Sequence, residues 1–114
     1  MRTATIVFVL ALSAGTARAD TTLCTFSSPH HDIEFAGDAA VSAVYVQRKD
    51  GPHSLPAGSY RLLRFEAHEA RIDFVFENPG DARLPASFTL KGAGREVWIV
   101  QGHERERGEL HCGP

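Results

Sequence analysis

A recurring alternation of apolar and polar residues, in short segments separated by Gly, Pro and Asn, constrains the fold of this chain more than any other feature. The clearest segment is Ala70–Glu77, where Ile72, Phe74 and Phe76 occupy every second position. Successive side chains of a β-strand point to opposite faces, so this period of two predicts a strand with one buried face. About eight segments are predicted strands: Thr21–Phe26, Asp32–Phe35, Val41–Arg48, Tyr60–Glu66, Ala70–Glu77, Ala86–Lys91, Glu96–Gln101 and Glu109–Cys112.

The spacing of these segments limits how the strands can pair. They follow one another too closely for helical crossovers, which parallel strands require, so the pairing is predicted to be antiparallel. An all-β fold follows, as a small antiparallel barrel or sandwich. One stretch, Leu62–Ile72, is rich in residues that favour helices, so a short helix over 62–70 is an alternative to a hairpin that turns near His68. Its apolar residues form no continuous helical stripe, which favours the hairpin.

The N-terminus has the three parts of a secretory signal. Arg2 precedes the apolar stretch Thr3–Leu12, and Ala17-Arg18-Ala19 fits the small-x-small pattern of a cleavage site between Ala19 and Asp20. The apolar stretch has about half of the roughly 20 residues that a membrane-spanning helix needs. We therefore predict a signal peptide over 1–19 and a single exported β-domain over 20–114, periplasmic or secreted and without a membrane anchor.

The two cysteines lie at opposite ends of the predicted mature chain, Cys24 in the first strand and Cys112 in the last. Disulfides persist in exported proteins, and no further Cys pair offers the spacing of a metal site. A Cys24–Cys112 disulfide is therefore predicted, which requires the first and last strands to be neighbours or to face each other. Since Cys24 shares a strand face with Phe26, and Cys112 with Leu110, the bridge is predicted to be buried beside them.

Charge excludes one large class of partner. The chain has 12 Lys and Arg, 14 Asp and Glu and a net charge of −2. Loss of 1–19 removes Arg2 and Arg18 but no carboxylate, so the mature chain is more acidic still. A nucleic-acid binder carries a clear positive excess, so no nucleic-acid partner is expected.

Two polar groups are candidate sites. His30, His31 and Asp32 form the densest group of potential metal ligands, but neighbouring residues of a strand point to opposite faces and the spacing matches no metal motif. A solvent-exposed loop is therefore the favoured interpretation, and metal binding the alternative.

The second group alternates in charge: His103, Glu104, Arg105, Glu106 and Arg107. It is predicted to be a solvated hairpin tip, with a protruding interaction loop as the alternative.

Two further features receive structural interpretations. Gly92-Ala93-Gly94-Arg95 lacks the context and the Lys-Ser/Thr of a phosphate-binding loop, so it is predicted to be a turn between strands. Trp98 is predicted to be part of the core. It shares one strand face with Val100, whereas Val97 and Ile99 lie on the other face.

The functional prediction is an exported, non-enzymatic binding or interaction domain. The chain has no GxSxG or HExxH motif, and the cysteines are committed to the predicted bridge. No cofactor is indicated, and the expected partner is an envelope or extracellular protein. The exposed loops are the expected working surface, because a chain of this size leaves little room for a buried pocket.

The layout of a signal, a Cys in the first strand, a Cys in the last strand and about eight strands is similar to that of small periplasmic lysozyme-inhibitor barrels of Gram-negative bacteria. The similarity concerns the layout alone. Gly92-Ala93-Gly94-Arg95 lacks the Tyr of that family's Ser-Gly-x-x-Tyr-type inhibitory loop, so no residue role is carried over. The resemblance implies inhibition of an extracytoplasmic hydrolase as one alternative function, beside metal binding in the periplasm.

Overall fold

The structure, a computed structural model, describes residues 21–113. The predicted signal peptide and the cleavage site between Ala19 and Asp20 lie outside these residues. The described chain forms nine strands: β1 Thr21–Ser28, β2 His31–Gly37, β3 Val41–Arg48, β4 Gly51–Ser54, β5 Tyr60–Glu66, β6 Arg71–Phe76, β7 Phe88–Ala93, β8 Glu96–Gln101 and β9 Glu104–Cys112.

All nine strands belong to one antiparallel sheet in the order β4-β3-β2-β1-β9-β8-β7-β6-β5. The sheet is curled into a half-barrel. Strands that follow each other in the chain pair with each other, except that β4 and β5 form the two edges and β9 pairs with β1. The prediction of a small all-β antiparallel domain is confirmed, and its form is a half-barrel made of a single curled sheet.

Several elements differ from their predictions for identifiable reasons. The stretch 62–70 is not a helix: β5 and β6 form a hairpin whose turn places the Ala70 N–H 3.1 Å from the Ala67 carbonyl, so the hairpin prediction is confirmed. Strand β4 was missed because Gly51 and Pro52 are typical of turns. Pro52 is tolerated there since β4 is an edge strand, where one backbone N–H needs no partner.

The core lies on the concave face of the sheet, at every second position of the strands. Ile72, Phe74 and Phe76 are almost completely buried, as their alternation predicted. Phe35 of β2 packs edge-on against Phe74 of β6 at a centroid distance of 5.3 Å, and against Phe65 of β5 at 6.1 Å. Burial of a Phe side chain contributes about 1.5–3 kcal/mol. These contacts hold the two halves of the curled sheet together.

Strand β9 connects the two halves through its backbone. Glu104–Gly108 pairs with β8, whereas Glu109–Cys112 pairs with β1. At the changeover, a Cβ on Gly108 would lie 2.7 and 2.8 Å from ring atoms of Phe26 and would also collide with the Ser27 carbonyl oxygen. Beyond this point the Leu110 N–H donates to the Gly94 carbonyl at 2.8 Å, outside the regular ladder. Only a residue without a side chain fits this position.

The disulfide ties the last residues of β9 to β1. Cys24 and Cys112 face each other in the antiparallel register, with 4.0 Å between their Cα atoms. The adjacent pair in that register is Phe26 and Leu110, both buried, and Cys24 is itself 1% exposed. The first and last strands are therefore neighbours, as the predicted bridge required.

Reduction of this disulfide is expected to destabilise the domain and to be slow under native conditions, because Cys24 is buried. The bridge spans a sequence separation of 88 residues. Loop entropy gives a ring of that size about 4–5 kcal/mol of stabilisation. Urea unfolding of the oxidised and reduced proteins measures the loss. Two titratable thiols in the unfolded, unreduced protein would contradict the bridge.

Substitution of Gly108 tests the changeover in β9. Gly108→Ala should lower the free energy of unfolding by about 1–3 kcal/mol, because the added methyl group has no room between Phe26 and the Ser27 backbone. Denaturant unfolding measures the change. The control is Glu109→Ala, at the next position of the same strand, whose side chain is exposed. Equal stability of the two variants would show that β9 does not pass this close to β1.

Candidate functional site

One end of the half-barrel collects the longest loop and three tight turns of the described chain. We call it the mouth and define it by residues 29–30, 49–50, 77–87 and 102–103. These segments connect β1 to β2, β3 to β4, β6 to β7 and β8 to β9. Because consecutive strands are antiparallel, all four connections fall at the same end of the sheet.

Inward-facing positions change from apolar to polar at the mouth. The period of two that buries Phe26 and Ile33 continues to the ends of the strands, where the residues become hydrophilic. A set of half-buried polar side chains results, which we call the polar ring: Ser28, His31, Arg48, Gln101 and Glu106. The ring separates the apolar interior from solvent at this end.

Two histidines meet Glu106 in this ring. The His30 N–H donates to Glu106 Oε2 at 3.0 Å, and the His30 Nδ1 lies 3.2 Å from the same oxygen. The His31 Nδ1 lies 3.1 Å from the other carboxylate oxygen, Oε1. The His30 side chain is 83% exposed, whereas His31 and Glu106 are 23% and 20% exposed. We call these three residues the His–Glu cluster.

The His–Glu cluster sets the acidity of Glu106. Burial raises the pKa of this carboxyl, but hydrogen bonds from the His30 backbone and imidazole, with a further one from His31, outweigh it. The net effect lowers the pKa below its ordinary value of 4.5. Glu106 is therefore a carboxylate that fastens the β1–β2 turn to β9, beyond the point where the two strands stop pairing.

Two open clefts flank the cluster. The larger has a volume of about 860 Å³ and lies between the β3–β4 turn and the start of β7, with Arg48 and Lys49 on one wall and Pro85 and Ala86 on another. The smaller, of about 400 Å³, lies beside Glu104 and Glu106. His30, His31 and Gln101 line both clefts and form the ridge between them.

Ser28, His31 and Glu106 resemble the members of a catalytic triad, but their geometry does not fit one. A triad places the serine on one imidazole nitrogen and the carboxylate on the other. Here the Ser28 hydroxyl lies 3.5 Å from His31 Nδ1, and Glu106 contacts the same nitrogen. His31 therefore has no free path to relay a proton from Ser28 to Glu106, and the arrangement is that of a hydrogen-bonded brace.

The predicted group His30, His31 and Asp32 is divided by the strand. Asp32 points to the convex face, where it accepts a hydrogen bond from Ser27 Oγ at 3.1 Å. Within residues 21–113, no group of three or more His, Cys, Asp and Glu side chains is placed to hold a metal ion. The residue that completes the histidine pair is Glu106, from the other predicted group.

The predicted tip His103–Arg107 is wrong as a loop. The turn consists of Gly102 and His103, and the strand begins at Glu104. The charged residues therefore alternate between faces: Glu106 points inward to the polar ring, whereas Arg105 and Arg107 lie on the convex face. The Gly, Glu and Arg composition suggested a loop. The segment nevertheless forms a strand, because Glu104–Gly108 pairs with β8.

Trp98 is also not where the sequence predicted. It lies half-buried on the convex face, and the Arg105 guanidinium carbon stacks over its ring at 4.2 Å from the centroid. The alternation had already placed Trp98 opposite the buried Val97 and Ile99, and that signal was the correct one.

Arg48 and Gln101 were not recognised from sequence, although the same periodicity places them on the inner face. Gln101 donates from its amide to the Ala86 carbonyl at 3.0 Å and so joins the β8 end to the loop 77–87. Asn78 organises that loop: its amide donates to the Asp81 and Pro85 carbonyls at 2.9 and 2.8 Å. The loop wall of the larger cleft is therefore braced by side-chain hydrogen bonds.

No protein-family model, curated protein or solved structure matches this chain. Residues 21–113 include no helix of the length and apolarity that a bilayer crossing requires.

The two imidazoles are expected to lower the pKa of Glu106 in addition to the His30 backbone N–H. Because its pKa is lowered in the folded state, the carboxylate stabilises the fold above the unfolded-state pKa, and this contribution is lost as the pH falls through the lowered value. In His30→Ala/His31→Ala the pKa of Glu106 should rise, as followed by carbon NMR of its carboxyl group. Asp50, whose pKa is lowered by its hydrogen bond with His53, is the control and should not move. An unchanged Glu106 titration would contradict the cluster.

Proposed function

We propose that this chain is an exported, non-enzymatic binding domain that holds its partner at the mouth. One observation supports this most directly: half-buried polar side chains face an open cleft of about 860 Å³ that is walled by turns and a braced loop. Binding sites of proteins occur preferentially in such concave surfaces, and the mouths of β-barrels are a common location.

The polar ring has the chemistry of a recognition surface. Arg48 is half-buried and makes no ion pair with a described residue, and Lys49 beside it is exposed. The Gln101 amide nitrogen donates a hydrogen bond to the Ala86 carbonyl, and its side-chain carbonyl oxygen is a further acceptor. These groups offer donors and an acceptor to a partner, and the hydrogen bonds around His31 and Asn78 hold the surrounding turns in place before binding.

Export is part of the proposal. The signal-like segment 1–19 supports it, and the disulfide between Cys24 and Cys112 is of the kind that persists in oxidising compartments. We infer a periplasmic or secreted location, with an envelope or extracellular protein as the partner.

Inhibition of a hydrolase by a protruding loop receives less support. The segment that would form such a loop, His103–Arg107, is mostly strand, and its turn has two residues. The longer loop 77–87 is folded back by Asn78 onto the carbonyls of Asp81 and Pro85. The mouth is therefore better suited to accept part of a partner in its cleft than to insert a loop of its own into the active site of an enzyme.

Site-specific photo-crosslinking tests the use of the mouth. A photoreactive amino acid at Lys49, on the wall of the larger cleft, should give a crosslinked partner in a native envelope extract. The matched position is Glu69, which is also exposed but lies in the β5–β6 turn at the other end of the half-barrel, where no adduct is expected.

Adducts from Glu69 but not Lys49, or equal adducts from both, would contradict binding at the mouth. Absence of any adduct from Lys49 would also count against a protein partner there. An adduct that disappears on addition of a metal chelator would favour the metal-dependent alternative.

A further inference from the structure

The convex face of β5 to β9 carries a concentrated positive charge. Two rows of outward-facing residues run across these strands, each residue beside its partner in the neighbouring strand. The row nearer the mouth contains Arg61, Val75, Thr89, Val100 and Arg105. The next row contains Arg64, Asp73, Lys91, Trp98 and Arg107. We call these two rows the basic face.

Most cations of the basic face are available to a partner. Arg61 and Arg107 make no ion pair with a described residue. Lys91 lies 4.0 Å from Asp73, and its side chain is 79% exposed. Arg64 is the exception, since its Nε lies 3.2 Å from a carboxylate oxygen of Glu66. Glu66 belongs to the following row, which also contains Arg71 and Glu96 and therefore carries both signs of charge.

The other half of the convex face has the opposite character. Across β9, β1, β2, β3 and β4, the corresponding rows contain Asp32, Glu34 and Glu109, with no Lys or Arg. The chain as a whole has a net charge of −2. Five of the ten Lys and Arg in residues 21–113 therefore lie on one surface, although the composition gives no sign of it.

Trp98 lies on β8, between Lys91 of β7 and Arg107 of β9, and gives this part of the basic face an ordered centre. Its ring is half-buried beneath the Arg105 guanidinium, and the neighbouring Val100 is 38% exposed. Trp and Arg together are the residues most enriched at the energetic centres of protein interfaces. Stacking on Trp98 also fixes the planar guanidinium, which pairs with carboxylates through two parallel hydrogen bonds.

We propose that the basic face docks an acidic protein surface, with carboxylates of the partner paired to Arg105 and Arg107 beside Trp98 and to Arg61 on the far strand β5. This inference does not depend on the mouth and concerns a second surface. The cations are mainly arginines, whose fork matches a carboxylate, and they surround an apolar centre, as interface cores require.

Two other occupants fit the structure less well. A bilayer favours a Trp whose ring projects into the interface, but the Trp98 ring is covered by Arg105. A second copy would have to offer its acidic rows, which lie on the opposite side of the curled sheet. Such head-to-tail contacts extend into rings or open chains.

Charge reversal of two outward arginines tests the proposal on the full mature domain. The variant is Arg105→Glu/Arg107→Glu. The control is Arg71→Glu/Arg95→Glu, which makes the same change in net charge at exposed positions outside both the basic face and the mouth. Binding to immobilised poly-L-glutamate, a polypeptide that presents carboxylates, is measured at low and high salt by surface plasmon resonance.

The wild type and the control should bind poly-L-glutamate in a salt-sensitive manner, and the reversal variant should bind at least about tenfold more weakly, because attractive pairs become repulsive. Equally weakened binding of the reversal variant and the control would show that only net charge matters, and would overturn the proposal. So would binding to phosphatidylglycerol vesicles in preference to poly-L-glutamate, or concentration-dependent self-association that the reversal variant loses. Since neither variant alters a residue of the mouth, this result is independent of the crosslinking at Lys49.

Discussion

The structure depends on the close approach of β9 to β1 at Gly108. There the backbone of β9 passes against the Phe26 ring, and the strand changes its pairing partner from β8 to β1. Without that approach the four-stranded halves on either side would share only side-chain contacts such as those of Phe35. The disulfide holds β9 to β1 on one side of the changeover. On the other side, where the two strands separate, the Glu106 carboxylate and two imidazoles maintain the connection.

The positions of both proposed surfaces follow from this strand. Residues of β9 before Gly108 alternate between faces, so the inward Glu106 enters the polar ring while Arg105 and Arg107 join the basic face. One short charged segment therefore contributes to two surfaces of different chemistry. The mouth is concave, mixed in charge and braced by hydrogen bonds, whereas the basic face is convex, positive and centred on a stacked Trp–Arg pair. Their separation by the sheet allows each to be altered without the other.

The sequence predicted the local features of the fold better than the long-range ones. Period-two alternation identified the inner faces of β6 and β8, and the two cysteines indicated that the first and last strands are neighbours. Turn-forming composition was the misleading signal. Gly51 and Pro52 indicated a turn where β4 begins, and the charged residues Glu104–Arg107 indicated a loop where β9 begins. Pairing with an adjacent strand decides such segments, and one sequence does not show which strand that is. For the same reason the contact of Glu106 with His30, 76 residues apart, was beyond sequence reasoning, although both had been singled out.

Strand β9 bridges the two half-sheets by crossing against Phe26. Proton NMR of Gly108 tests it most directly, because the ring current of an adjacent aromatic side chain displaces the signal of an Hα. We expect a displaced Gly108 Hα signal, nuclear Overhauser contacts from it to the Phe26 ring, and backbone contacts from Arg107 to Trp98 and from Leu110 to Phe26 in the same sample. A Gly108 Hα at its random-coil position, without contacts to Phe26, would contradict the bridging role of β9.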